Sequence, residues 1–338
     1  MLTANDLVFA SILPLIIGLS VAVFVRCTTR SRCSHSIGVL STLIAGYFGR
    51  YGVMNFAYAQ GETTSEKVFQ SFSQTSTQLL SPSTAIQWIP IIAFLCFAIS
   101  ILVARLESAN CPNIEKDPSP RSPLHSLLHS LLVYGLLVLL SALAIVRLLW
   151  TSVYFTDRFS PALQVGYVVV PAAVIAAIWM GGFNIRVSPQ QIDHQPISRW
   201  SSISTLLLSA SALVLMASSG SFTIGLLQLP VLSAAMVGAV FIHSPSSHCP
   251  INSNAWLIAS AVCLPVAVGF FFAEVRWETA VLFFTSSILL TFFPPLVPDN
   301  NFKKIGIAIA ACLPAIAAAT WAAIALSQAI QSPYGGYQ

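Results

Sequence analysis

Charge is what this chain has least of. Asp, Glu, Lys and Arg make up 8% of its 338 residues, against roughly 25% in an ordinary soluble domain. With 56% of the residues hydrophobic, an aqueous globular fold is excluded. A separate aqueous domain is excluded too, because no polar stretch between apolar runs reaches the ~50 residues that a small domain needs. Acids are scarcer still, and none falls in the middle of an apolar run long enough to cross a bilayer. Proton-coupled and many sodium-coupled carriers place an acid near the midplane. The gap therefore argues against a carboxylate proton relay.

Catalytic signatures are missing as well. There is no GxSxG elbow, no HExxH and no Walker lysine, which disfavours an enzyme and implies no cofactor. No CxxC occurs among the seven cysteines, and five residues separate Cys27 from Cys33, so no zinc spacing is present. His125 and His129 stand at i and i+4. With His35, His243, His248, Cys27, Cys33, Cys111 and Cys249 on the same expected side, they leave a metal-binding or enzymatic role as a secondary reading. The net charge of +4 implies no nucleic-acid partner, since the basic residues sit in short loops flanking apolar runs. Met1 to Asp6 lacks the basic segment of a secretory signal, so the first apolar run is expected to stay as a helix. Arg26 before Cys27 speaks against a lipid anchor there.

What the chain does have is apolar length. A spanning helix needs about 20 mainly apolar residues, and ten windows qualify: Leu7 to Val25, Ile37 to Ala59, Ile86 to Ala104, Leu128 to Trp150, Leu163 to Gly182, Ser202 to Ser219, Phe222 to Ile242, Ala255 to Glu274, Thr279 to Val297 and Ile305 to Gln328. Across alternate loops, ten Lys and Arg residues fall on one side, including Arg26, Arg105, Arg186 and Lys303, and three on the other: Lys67, Arg158 and Arg276. The positive-inside rule makes the rich side cytoplasmic and both termini external. The expected fold is an all-α, polytopic bundle of about ten transmembrane helices with short loops, in the plasma membrane.

Between the second and third windows, Thr63 and Glu66 form a capping-box pattern, and Val68, Phe69, Phe72, Leu79 and Leu80 give a partial apolar face. A short interfacial helix is expected there, either as a linker or as a lid. A polar segment at 184–199 divides the spans into halves, 1–183 and 200–338. Pro171 to Trp179 faintly resembles Pro314 to Trp321, which would suit an inverted repeat. Cys263, Leu264 and Pro265 instead match Cys312, Leu313 and Pro314, which does not fit that register.

Arg50 is the deepest charge, inside the second window. A guanidinium in hydrocarbon is costly and marks a functional candidate with a partner to be found. Three readings stay open: snorkelling to the headgroups among Tyr47, Tyr51 and Tyr58, pairing with Glu274 or helix carbonyls, and recognition of a small anionic solute assisted by Asn55. Beside it, Gly38, Thr42, Ala45, Gly49 and Gly52 form a stripe of small residues suited to close helix packing. Arg147 is expected to snorkel. Pro14, Pro90, Pro171, Pro230, Pro265, Pro294, Pro295 and Pro314, in or near the windows, are expected to act as ordinary kinks. A small-solute transporter or permease is the preferred function, because almost all of the chain is embedded. The rival is a non-transporting subunit or scaffold completed by another membrane protein. The lipid bilayer is the common partner of both.

Overall fold

The computed structural model describes residues 4–29, 34–60, 63–109, 123–150, 155, 157, 159–184, 199–220, 222–241, 256–272, 275–292 and 301–331. Among them the chain is all-helical. Helix α1 runs from Ala4–Leu7 through a π-helical turn, Val8–Ile12, into Leu13–Thr29. It is followed by α2 (Ser34–Tyr58), α3 (Thr64–Leu80), α4 (Trp88–Ala109, entered by a 3-10 turn, Ala85–Gln87), α5 (Pro123–Leu149) and α6 (Pro161–Asn184). Then come α7 (Arg199–Ser218), α8 (Phe222–Leu226 and Gln228–Phe241), α9 (a π-turn, Ile258–Cys263, then Leu264–Phe272), α10 (Trp277–Phe292) and α11 (Asn301–Gln331).

Among the described residues, five stretches are long and apolar enough to cross a membrane: Ala4–Thr28, Ala85–Leu102, Leu131–Leu149, Pro161–Met180 and Ile305–Ile330. That makes this a membrane protein. Shorter apolar helices lie at Ile203–Ser218, Thr223–Gly238, Ile258–Gly269 and Trp277–Leu290. Side-chain placement agrees with a lipid solvent. Phe24, Leu132, Leu139, Val170 and Ile324 face outward, whereas Thr205, Ser209, Gln228 and Ser286 are fully buried.

The first two helices form a tight antiparallel hairpin. A Cβ added at Gly49 would stand 2.0 Å from the carbonyl oxygen of Phe9, and one at Gly18 would stand 1.6 Å from Thr42 Oγ1. Only hydrogen at those Cα atoms permits this approach. Gly38 meets Ala22 and Gly18 in the same seam, and Gly46 lies against Pro230 of α8. Gly52 is different: nothing lies within 4 Å of its missing Cβ, and its carbonyl accepts a bond from Ser71 of α3. Ala45 is half-buried.

Helix α3 starts at the expected capping box, with Glu66 N–H donating to Thr63 Oγ1 and Thr63 N–H to Glu66 Oε2. It is mounted on α2 by its polar face through Ser71 and Thr75, both buried. Val68, Phe69, Phe72 and Leu80 remain outside, although Phe72 also touches Phe48 of α2 with ring centroids 5.2 Å apart. Water would reverse that arrangement, so an apolar medium around this helix accounts for it.

The seam gives a sharp contrast. Gly49→Ala is expected to destabilise the protein by about 1–3 kcal/mol, the usual cost of overpacking, because the obstructing atom is backbone. Gly52→Ala should be near neutral. Thermal unfolding of the two variants in one detergent checks this, and equal losses would mean that α1 does not approach α2 as described.

Candidate functional site

Three separate features stand out where these helices pack together. The first is Arg50, whose side chain is 8% exposed and whose Nη1 donates to Asp6 Oδ1 at 2.5 Å. The register that sets Gly18 against Thr42 and Phe9 against Gly49 also sets the first turn of α1 against Arg50. Snorkelling is therefore replaced by an internal ion pair. Its partner among the described residues is Asp6; Glu274, the expected partner, lies outside them. Arg50 Nε is buried with no hydrogen-bond acceptor among the described residues. Asn55 does not join Arg50. Its Nδ2 donates to Thr75 Oγ1 and Gln78 Oε1, both at 2.9 Å, and its Oδ1 accepts from Gln78 Nε2 at 3.2 Å. This reciprocal amide pair uses the Asn55 side chain to hold α3.

The second feature is a crossing of interrupted helices. Proline lacks an N–H and crowds the carbonyl four residues before it, so each intrahelical proline frees backbone groups that lipid cannot satisfy. In α9 the turn before Pro265 opens into π geometry, with Leu264 N–H bonded to Ala259 O. The freed Ala261 carbonyl accepts from Gln228 Nε2 at 3.0 Å. Gln228 itself stands at the break of α8, where Leu227 N–H turns back to Ile224 O three residues before Pro230. In α1 the π-turn precedes Pro14, and Ser11 O accepts from Ser233 Oγ of α8 at 3.0 Å. These prolines do more than kink their helices: the breaks of α9 and α1 are each met by a side chain of α8, which is itself interrupted. Gln228 is fully buried, and its Oε1 has no partner among the described residues.

The third feature is a cavity of about 220 Å3 between α4, α5, α6 and α9. Trp179 and Ile175 back it, and Ser260 and Leu264 of the α9 break form part of its wall. Arg147 borders it too. Its guanidinium carbon lies 4.3 Å from the centre of the Trp88 ring, so a cation–π contact takes the place of simple snorkelling. Neither Arg50 nor Asn55 touches this cavity.

Sequence reasoning singled out Arg50 but passed over Asp6 and Gln228. Asp6 lies one residue before the first window; Gln228 is a lone amide inside an apolar run, two residues before a proline, which is a usable signal. Among the described residues no three His, Cys, Asp or Glu side chains come together. All six histidine side chains, and Cys33, Cys111 and Cys249, lie outside the described residues, as do residues 185–198 of the expected linker.

The helices and their lipid-facing surface define the class as an all-helical integral membrane protein. No family model, curated protein or solved structure matches the chain.

Removing one member of a buried ion pair costs far more than removing both, because the survivor is left as an uncompensated charge. Asp6→Asn is expected to lose ~3–5 kcal/mol of stability, and the double variant Asp6→Asn, Arg50→Gln to recover much of that loss. A double-mutant cycle in thermal unfolding measures it. Additive losses would show that the pair is not formed in the folded protein.

Proposed function

We propose that this protein is a small-solute transporter or permease of the plasma membrane, with about ten membrane helices and both termini external. Its lysine and arginine distribution supports that orientation. The observation that carries the transport reading is the Gln228–Ala261 contact between two interrupted helices, with the amide oxygen of Gln228 left buried and unpartnered. Secondary transporters build their sites from such discontinuous helices, whose exposed backbone groups and unwound turns can coordinate a solute near the midplane. An oxygen with no donor supports a solute, or its attendant water, that brings an N–H or O–H to that point.

A carboxylate relay is not needed for this reading, since Asp6, the acid buried among the described residues, is balanced by Arg50. A small anionic solute remains a candidate substrate, but it would reach Arg50 only by competing with Asp6. The crossing, and not the arginine, is thus the better candidate for the solute path.

The test uses single cysteines at positions 11, 228, 233 and 261 in a chain whose seven native cysteines are replaced, reconstituted in vesicles. A transport path predicts that at least one position reacts with a membrane-impermeant maleimide from one face, while a cysteine at exposed Tyr58 serves as the positive control. Complete protection at all four positions from both faces, with the control labelled, would reject the path and leave the non-transporting subunit.

A further inference from the structure

The cavity between α4, α5, α6 and α9 has features that a solute path through the Gln228 crossing does not use. Its wall follows α4 from Trp88 to Ile99, eleven residues and so about 16 Å at 1.5 Å per residue. It is elongated and almost wholly apolar. At about 220 Å3 it is smaller than the roughly 300–1,000 Å3 of a typical small-molecule pocket. Leu95 and Leu143 line it and are 50% and 56% exposed, so its side opens towards the lipid phase and not towards water.

The polar groups on this cavity are sparse and of one kind. Arg147 sits in the last turn of α5, at the depth where a helix meets the headgroups, and it makes no ion pair among the described residues. Stacking on Trp88 occupies one face of the guanidinium and leaves its edge donors available. Trp88 Nε1 and Ser141 Oγ are buried without partners among the described residues, and both residues line the same cavity. A cation and a buried indole donor at one end of an apolar slot call for an acceptor-rich anionic head joined to a hydrocarbon tail.

We propose that this slot binds an anionic phospholipid of the surrounding bilayer, one acyl chain lying along α4 and the phosphate held by Arg147 and Trp88. The site is independent of the transport reading, since it needs only a bilayer outside Leu95 and Leu143.

The probe is phosphatidylglycerol carrying a photoreactive acyl chain, added to the purified full chain in nanodiscs of phosphatidylcholine. Crosslinks are expected to concentrate on Trp88–Ile99 and Leu140–Arg147. Arg147→Gln should weaken labelling about tenfold, since a charge-assisted bond is worth ~1.5–3 kcal/mol and 1.4 kcal/mol is tenfold in affinity. Ala144→Phe, which fills the slot, should abolish labelling there even with the charge intact. Arg147 is exposed, so its variant keeps the test open if the packed Ala144 variant does not fold. Equal labelling by a phosphatidylcholine analogue, labelling spread evenly over other lipid-facing residues such as Ile324, or undiminished labelling in folded Arg147→Gln would each overturn the proposal. So would full competition by inorganic phosphate alone, which would assign the arginine to a free anion.

Discussion

Every backbone N–H and C=O within hydrocarbon has to find a partner in the protein, because lipid supplies none. That constraint decides where this chain spends its few interior polar side chains. Each intrahelical proline withdraws a donor, and beside several of them a neighbouring helix answers. Tyr51 donates to Ile86 O, four residues before Pro90, at 3.1 Å. Gln228 donates to Ala261 O, four residues before Pro265. Ser233 donates to Ser11 O in the loosened turn before Pro14. At Pro314 the exchange is reversed, and Ala315 N–H donates to Ser286 Oγ of α10 at 2.8 Å. Hydroxyls and amides that look like incidental polarity in a hydropathy profile are thus the complements of particular helix breaks.

Close approach is the second consequence of a solvent that does not drive helices together. Glycine and alanine let backbones touch where dispersion is the main attraction left. In the α1–α2 hairpin that contact is backbone to Cα, Phe9 O over Gly49, which fixes the register to within a residue. Arg50 is one position further along α2, so its pairing with Asp6 follows from the glycine seam. The ion pair is weak evidence for stability by itself, because desolvating two charges costs several kcal/mol per ion. What it adds is a penalty on any register that separates the two charges.

The amphipathic α3 and its capping box were legible at the level of local pattern: Thr63 and Glu66 sit where a helix start needs them. Apolar windows identified long spans such as Leu163 to Gly182 and Ile305 to Gln328 because length and composition suffice for that inference. Arg50 was legible as exceptional, but its partner was not. A search for acids in the middle of spans passes over Asp6, which lies just before a window and is buried in the fold against Arg50 of α2. Prolines were legible as features, yet whether a proline kinks a helix or opens a π-turn is settled by what stands opposite. That information belongs to another helix, far away in sequence: Gln228 and Ala261 are 33 residues apart, and Ser11 and Ser233 are 222 apart.

These contacts differ in how hard they are to break, and the difference gives the transport proposal a mechanical form. The hairpin of α1 and α2, with α3 pinned by Asn55 and Ser71, is held by backbone contact and a buried ion pair whose disruption costs ~3–5 kcal/mol. Across the crossing, the side-chain hydrogen bonds that α8 makes among the described residues are the Gln228 amide bond to α9 and those of the Ser233 hydroxyl to Ser11 of α1, beside the packing of Leu226 and Leu229 on Ala10. A neutral hydrogen bond contributes only ~0.5–1.5 kcal/mol net, and breaks already opened by proline have less helical structure to lose. Rearrangement would therefore concentrate at the interrupted turns of α8 and α9, with the hairpin carried as a unit. A solute that supplied a donor to Gln228 Oε1 would bias such a change through one added bond, which is the differential interaction a ligand must make to shift a conformational equilibrium.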